Sequence, residues 1–229
     1  MIHFMHVTKT YSEGWKALDD VSFKIGKGEF VFLTGHSGAG KTTILKHIYM
    51  DERPDHDRGG QVLVHLTQDM VFDSKNTPES RIQELRRKIG IVFQDFKLLN
   101  DRNVFENIAL ALRIVGTSSN KINAKVYEAM ALVGMSHRRS AMPYTLSGGE
   151  QQRVAIARAM VHNPYILLAD EPTGNLDPDN AQEVFQIFKE INARGTAILM
   201  ATHNPGFYLN NSLRRLVLSH GRLVNREIL

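Results

Sequence analysis

Residues 35–42 read GHSGAGKT, which combines three glycines with a lysine and a threonine. The stretch lies between an apolar run at residues 30–33 and a segment of helical character that begins near Ile44. Glycines let a backbone wrap tightly, and the amides of such a turn bind anions together with the N-terminus of the following helix. The spacing matches the G-x-x-x-x-G-K-[ST] phosphate loop in the strand–loop–helix context that the motif requires. We therefore predict a nucleotide-phosphate site here.

Two side chains of this loop carry the predicted chemistry. Lys41 supplies a positive charge for the β- and γ-phosphates, and the Thr42 hydroxyl is a hard oxygen ligand suited to Mg²⁺. The alternative is a glycine-rich turn whose lysine faces solvent and binds nothing. The predicted phosphate-binding residues are Gly35, His36, Ser37, Gly38, Ala39, Gly40, Lys41, Thr42 and Thr43.

A second candidate is the acidic pair Asp170 and Glu171, which follows the apolar residues 166–169. A carboxylate at the end of a buried strand can bind Mg²⁺, and its neighbour can polarise the water that attacks a γ-phosphate. Taken alone the pattern is weak, because acidic residues also stabilise helix N-termini without any ligand. The prediction of a catalytic site at this pair is strong only because the same chain also contains the phosphate loop.

Composition restricts the class of protein. The 229 residues allow one large domain or two small ones, and the absence of cysteine excludes disulfides and thiolate metal sites. The net charge of +4 is spread along the chain, so we expect no nucleic-acid partner. The N-terminus lacks the features of a signal peptide, and no uncharged apolar run approaches the ~18 residues of a membrane span. We therefore expect any membrane role to depend on a partner.

The hydrophobic pattern predicts alternating strands and helices, hence a parallel sheet covered by helices. A mostly helical insert interrupts this alternation between about residues 96 and 163, and residues 69–80 show no clear pattern. Strands are predicted at residues 2–7, 17–25, 30–33, 62–66, 89–93, 165–170, 197–201 and 213–218, and helices at 41–50, 103–115, 121–133 and 178–194.

Residues 146–150 read LSGGE and form a third candidate, a serine–glycine turn that opens a helix. By itself this is either a second anion site or a capped helix start without a ligand. Six elements occur in the order found in ABC-type ATPase cassettes: the phosphate loop, Gln94, residues 146–150, the pair at 170–171, residues 175–177 and His203. The chain resembles this family over nearly its whole length.

The resemblance implies a P-loop NTPase (RecA-like) core with an antiparallel β subdomain and an α-helical insert subdomain. It implies one ABC ATPase domain over residues 1–229, with the core and β subdomain at about 1–95 and 164–229 and the helical signature subdomain at about 96–163. It also implies that Glu171, His203 and Gln94 are catalytic, that Tyr11 stacks on adenine, and that Thr42, Gln94 and Asp170 hold Mg²⁺. Ser147 and Gly149 would face the nucleotide of a second copy.

Within the family, residues 85–96 and 169–177 most resemble the cell-division cassettes, although lipoprotein-release and macrolide-export cassettes share many of these residues. The resemblance implies an ATPase that uses ATP and Mg²⁺, forms a homodimer on ATP binding and drives an integral membrane protein, FtsX-like or a transporter permease. It would lie peripherally at the cytoplasmic face of the inner (cell) membrane and regulate cell-wall hydrolysis; the alternative is a transport motor. Soluble cassettes that act on DNA or ribosomes fit less well, because they carry paired cassettes or long coiled coils. Asn204 departs from the family, which usually has aspartate after the histidine.

Overall fold

In a computed structural model, residues 1–55, 58–209 and 211–224 of the chain are described. The strands are β1 (Ile2–Thr10), β2 (Lys16–Ile25), β3 (Phe30–Thr34), β4 (Gln61–His65), β5 (Val71–Asp73), β6 (Ile89–Val92), β7 (Ile166–Asp170), β8 (Ala197–Thr202), β9 (Arg214–Ser219) and β10 (Arg222–Leu223). The helices are α1 (Lys41–Ile48), α2 (Glu79–Arg86), α3 (Val104–Ile114), α4 (Ser119–Leu132), α5 (Gly148–Met160), α6 (Pro178–Ala193) and α7 (Pro205–Tyr208).

The chain divides into two compact units. The first contains Met1–Arg86 and Leu199–Leu229, and the second contains Arg87–Ile198. The boundary between Ile198 and Leu199 falls inside strand β8. This division does not coincide with the predicted subdomain boundaries, which stay a prediction.

The first unit contains an antiparallel sheet in the order β2-β1-β4-β5. Ile2 lies opposite both Ile25 on β2 and Val64 on β4, and all three side chains are buried. Phe4 stacks on Phe23 with ring centroids 4.4 Å apart. Cross-strand apolar pairs of this kind fix the register, because a one-residue slip would turn the buried face of a strand to solvent.

The same unit contains the strand that leads into the phosphate loop. All five residues of β3 are buried, and β3 pairs in parallel with β9, with Leu33 opposite Leu216. Strand β9 continues into β10 as an antiparallel pair. A strand without an exposed residue is a rigid base for the loop that follows it.

In the second unit β6 and β7 pair in parallel, with Ile89 opposite Ile166. Helices α3, α4 and α5 form the mostly helical stretch, and α6 buries an apolar stripe along one face. That stripe consists of Ala181, Val184, Phe185, Phe188 and Ile191. None of the helices within the described residues has the length and apolarity that crossing a bilayer would require.

The predicted strands and helices are confirmed, with ends shifted by up to three residues. The stretch at residues 69–80 that gave no prediction contains β5 and the beginning of α2. Strand β5 has only three residues, and α2 buries only Ile82 and Leu85. Elements this short and this exposed leave too few apolar positions to show a period.

Candidate nucleotide-binding and catalytic residues

The phosphate loop needs glycine at two positions for steric reasons. A Cβ on Gly35 would lie 2.2 Å from the carbonyl oxygen of Leu218, and one on Gly40 would lie 2.3 Å from that of Ala17. Gly40, at φ 106°, is also the residue that caps the N-terminus of α1. The loop therefore packs its backbone directly against neighbouring strands, and only glycine permits that approach.

Lys41 lies on the first turn of α1 and is only 7% exposed. Its Nζ donates hydrogen bonds to the carbonyl oxygens of Gly35 (2.8 Å) and His36 (3.2 Å). The ammonium group is thus held over the backbone of the loop, beside the helix N-terminus. Both positive features favour a bound anion at this place.

The remaining predicted loop residues differ in their exposure. Thr43 is buried and its carbonyl oxygen hydrogen-bonds to the ring of His47 (2.7 Å), so its side chain belongs to the interior. Ala39 is buried as well, and His36, Ser37, Gly38 and Thr42 are exposed. The exposed residues include two with hydroxyl groups, Ser37 in the loop and Thr42 on the first turn of α1.

Tyr11 lies in the turn between β1 and β2, and part of its ring is covered by its neighbours. Its hydroxyl donates to the carboxylate of Glu52, and its ring stacks on Trp15 with centroids 5.5 Å apart. Burial, followed by this hydrogen bond, raises the pKa of Tyr11. Trp15 is 54% exposed and was not predicted as a site residue. The only signal for it in the sequence is an aromatic residue four positions after Tyr11.

His203 follows β8 and is exposed. The amide of Asn204 donates to the Thr202 hydroxyl (3.1 Å), and the Asn204 side chain accepts from the amide of Gly206 (2.9 Å), which caps α7. The asparagine that departs from the family pattern thus has a local structural role. A cavity of about 320 Å³ brings His203 together with the start of the phosphate loop; it is lined by Thr34, Gly35, His36, His203, Tyr208, Arg215 and Val217.

In the second unit, the acidic pair lies at a sharp change of backbone direction. Asp170 ends β7, and Glu171 has a left-handed backbone with φ 47°. The carbonyl oxygen of Glu171 accepts the amide of Gly174 (3.0 Å). A left-handed residue directly before Pro172 is costly, of the order of 1–3 kcal/mol, and persists only where neighbouring contacts enforce it. Such strain is common at functional sites.

Gln94 and Asn175 form a reciprocal amide pair. The Gln94 Nε2 donates to the Asn175 side-chain oxygen (3.3 Å), and the Asn175 Nδ2 donates to the Gln94 carbonyl (3.1 Å). The second unit therefore brings together two motifs that are separated by 81 residues in the chain. Next to this pair, Asp177 caps α6 by accepting the amide of Asn180 (3.0 Å).

The serine–glycine turn is a capping box at the start of α5. The Ser147 hydroxyl accepts the amide of Glu150 (3.2 Å), and the Glu150 carboxylate accepts the amide of Ser147 (2.9 Å). These bonds, led by the Ser147 amide and assisted by Arg138 at 3.0 Å, lower the pKa of Glu150. A Cβ on Gly149 would lie 2.2 Å from the side-chain oxygen of Asn180, so any other residue there would require the Asn180 side chain to move.

Sequence reasoning missed the residues that shape the segment after Gln94. Phe96 and Lys97 are both left-handed, with φ 59° and 50°, and their carbonyls accept hydrogen bonds from Arg158 (2.9 and 2.6 Å). Asn107 is fully buried, and its side chain bonds to the amide and carbonyl of Leu99 (2.8 and 3.1 Å). The side chains of Arg158 and Asn107 hydrogen-bond to backbone atoms, and the spacing of residue types in the sequence does not predict such bonds.

Comparison with known proteins places these residues in a family. The ABC transporter family model matches residues 18–174. The chain is 46% identical to the cell division ATP-binding protein FtsE of Bacillus subtilis, over 99% of this chain and 96% of that protein. It is 45% identical to the FtsE of Escherichia coli strain K12, over 97% of both chains.

A solved structure with a similar fold is the dimeric ATP-binding cassette MJ0796, in a post-hydrolysis state bound to ADP and Pi. It superimposes with a TM-score of 0.85 at 32% identity, over 99% of this chain and 98% of that one. These matches confirm the predicted fold class and the predicted resemblance to the cell-division cassettes. On this evidence the chain belongs to the ABC transporter family of ATP-binding cassettes.

Proposed function

We propose that this protein is the ATP-binding and ATP-hydrolysing subunit of a cell-division complex of the FtsE type, which drives a separate membrane protein. The observation that carries the proposal is the phosphate loop, because its backbone and Lys41 already form an anion site in a chain 46% identical to an FtsE. Family membership supports ATP hydrolysis, and the FtsE relatives support the role in cell division.

ATP binding rests on the loop at residues 35–43. Its amides and the N-terminus of α1 receive the phosphates, and Lys41 exchanges its loop carbonyls for β- and γ-phosphate oxygens. Tyr11 provides an aromatic face for adenine, with Trp15 stacked on it as support.

Mg²⁺ is the cofactor that the family implies, and the donors present suit it. The Thr42 hydroxyl, the Asp170 carboxylate and the Gln94 side-chain oxygen are the hard oxygen ligands that this ion prefers. Bound there, the ion would neutralise phosphate charge that develops during the reaction. Thr42 lies on the first turn of α1, directly after the lysine that binds the phosphates.

Hydrolysis requires a water molecule to be aligned with the γ-phosphorus and to lose a proton. Glu171 accepts that proton as general base, while His203 donates a hydrogen bond to a γ-phosphate oxygen and holds the water in place. Gln94 senses the γ-phosphate, and its pairing with Asn175 gives it a partner to exchange when nucleotide binds.

A second copy of the chain completes the site. Ser147 and Gly149 begin α5, and the N-terminus of that helix faces the nucleotide held by Lys41 of the other copy. The solved dimer of MJ0796, bound to ADP and Pi, supports a homodimer, and we propose that the two copies are arranged head to tail and close on ATP. The cassette would then lie at the cytoplasmic face of the cell membrane, held there by an FtsX-like partner whose movement regulates cell-wall hydrolysis.

The variant Glu171→Gln tests the proposed reaction. Glutamine keeps the shape of the side chain but not its basicity, so we expect ATP binding to persist and turnover to fall by roughly 10²–10⁴-fold, or about 3–5 kcal/mol of barrier. The variant should accumulate as an ATP-bound dimer, visible by size-exclusion chromatography with and without MgATP. Near-normal turnover would show that another group is the base.

Depletion of the protein in its host tests the cellular role. We expect filamentous cells if the complex regulates cell-wall hydrolysis during division. Normal division combined with a defect in lipoprotein release or drug export would favour the transport motor instead.

A further inference from the structure

Gln152 is 0% exposed on the second turn of α5, although glutamine is mostly found at protein surfaces. Its Nε2 donates a hydrogen bond to the carbonyl oxygen of Pro172 (2.6 Å). Its Oε1 has no hydrogen-bond partner among the residues that the structure describes. A buried amide with an unsatisfied acceptor is unfavourable for stability, so its presence calls for a reason other than stability.

Pro172, whose carbonyl oxygen accepts the hydrogen bond from Gln152, directly follows Glu171, the proposed general base. Glu171 is left-handed before Pro172, and this backbone is strained. Two consecutive carbonyls fix it: that of Glu171 accepts the Gly174 amide (3.0 Å), and that of Pro172 accepts the Gln152 amide. The second of these bonds is the one that comes from a different element of the chain, α5.

Gln152 also connects this backbone to the serine–glycine turn at residues 146–150, which we call the signature turn. Ser147, the N-cap of α5, and Gly149 on its first turn lie five and three residues before Gln152, so these groups belong to one rigid helix. We propose that Gln152 is a positioning residue, which fixes the strained backbone after Glu171 to the helix that begins at the signature turn. The inference rests on the proposed role of Glu171 as general base and deepens it.

The variant Gln152→Leu separates positioning from stability. Leucine has a similar volume but cannot donate to the Pro172 carbonyl, so the strained backbone loses this hydrogen bond. Because a misplaced base lowers the rate without weakening phosphate binding, we expect kcat for ATP to fall about 10–100-fold. KM and the affinity for a fluorescent ATP analogue should stay within about twofold of the wild type. A purely structural role would instead lower the melting temperature and leave kcat per folded molecule unchanged.

The variant Gln152→Glu adds a pH signature and covers the case in which Gln152→Leu fails to fold. The carboxyl group donates to the Pro172 carbonyl only when protonated, and burial raises the pKa of a carboxyl at this position. The kcat of this variant relative to the wild type should therefore rise as pH is lowered from 8 to 6. A ratio that does not change with pH would count against the proposal.

Gln151→Leu is the matched control. Gln151 lies on the same turn of α5 and donates to the Leu146 carbonyl (3.1 Å), which is not part of the backbone around Glu171. We expect its kcat to remain within about twofold of the wild type. An equal loss of kcat in both leucine variants would overturn the proposal, because the effect would then belong to α5 in general.

The Glu171→Gln variant keeps the two hypotheses distinguishable. If Glu171→Gln is inactive while Gln152→Leu has normal kcat, the base assignment stands and the positioning role fails. If Glu171→Gln turns over normally, the assignment of Glu171 as general base fails, and the positioning role that rests on it fails as well.

Discussion

The ammonium group of Lys41 donates hydrogen bonds to carbonyl oxygens of the phosphate loop. With two loop carbonyls as acceptors at 2.8 and 3.2 Å, the side chain is held over the proposed phosphate site. A bound phosphate then gains a charge whose position is already set, so little side-chain entropy is lost on binding.

The variant Lys41→Ala should lose productive ATP binding, because the β- and γ-phosphates lose the one lysine of the loop. We expect the affinity for MgATP, measured by titration with a fluorescent analogue, to fall at least tenfold. The circular dichroism spectrum should be unchanged, because the side chain contacts loop carbonyls rather than the apolar core. Lys27→Ala, an exposed lysine in the turn before β3, is the control and should bind normally. Unchanged affinity in the first variant would remove Lys41 from the site.

Single residues were predictable where their type alone decides the chemistry. The glycines, lysine and threonine of the phosphate loop are recognisable because each has a defined role at a fixed spacing. Gln152, Arg158 and Asn107 were not, since each bonds to a backbone carbonyl that folding brings close from elsewhere in the chain. Such bonds depend on tertiary packing, and many residue types can provide the carbonyl.

At the scale of elements, α5 shows a feature that its local sequence encodes completely. Serine followed three residues later by glutamate is the capping-box pattern, and both of its hydrogen bonds are present. The left-handed pair Phe96–Lys97 shows the opposite case. Neither residue favours a positive φ, and the carbonyls of both accept hydrogen bonds from Arg158, a residue distant in the chain.

The capping box gives the stability of the protein a pH dependence. The folded state lowers the pKa of Glu150 below its ordinary 4.5, through the Ser147 amide first and Arg138 next. Its contribution is therefore complete above about pH 4.5 and is lost as pH falls through the lowered value. Glu150→Gln, which keeps the hydrogen-bonded cap but not the charge, should be destabilised by about 1 kcal/mol at pH 7. The difference from the wild type should shrink toward zero near pH 3.

Urea denaturation at several pH values measures this difference. Glu183→Gln is the control, because the Glu183 carboxylate that pairs with Arg153 is 68% exposed and solvent-exposed charges contribute little. A wild-type advantage that persists unchanged at pH 3 would contradict the assigned cause.

At the scale of the whole molecule, the membrane partner proposed above needs a place on the cassette where it can attach. The segment at residues 95–103 follows Gln94, the proposed γ-phosphate sensor, and carries three large apolar side chains. The structure distinguishes them. The Phe96 ring lies near the start of α5, 3.9 Å from the position of a Cβ on Gly148, whereas Leu99 is 36% exposed. Arg158 and Asn107 hold the backbone on either side of Leu98, which fixes the direction in which Leu99 is presented.

We therefore predict that Leu99 is an anchor for the membrane partner and that the half-buried Phe96 packs against the start of α5 within the second unit. Leu99→Ala should weaken binding of the partner by roughly 2 kcal/mol or more, about thirtyfold, because a buried apolar anchor dominates such contacts. ATP hydrolysis by the isolated cassette should remain nearly unchanged.

Phe96→Ala should lower the stability of the cassette as well as partner binding. Pull-down of the detergent-solubilised partner, paired with an ATPase assay and a melting curve, separates these outcomes. Ile114→Ala, which removes a 56% exposed apolar side chain from the end of α3, serves as the control and should bind normally. Normal partner binding by Leu99→Ala would place the attachment site elsewhere.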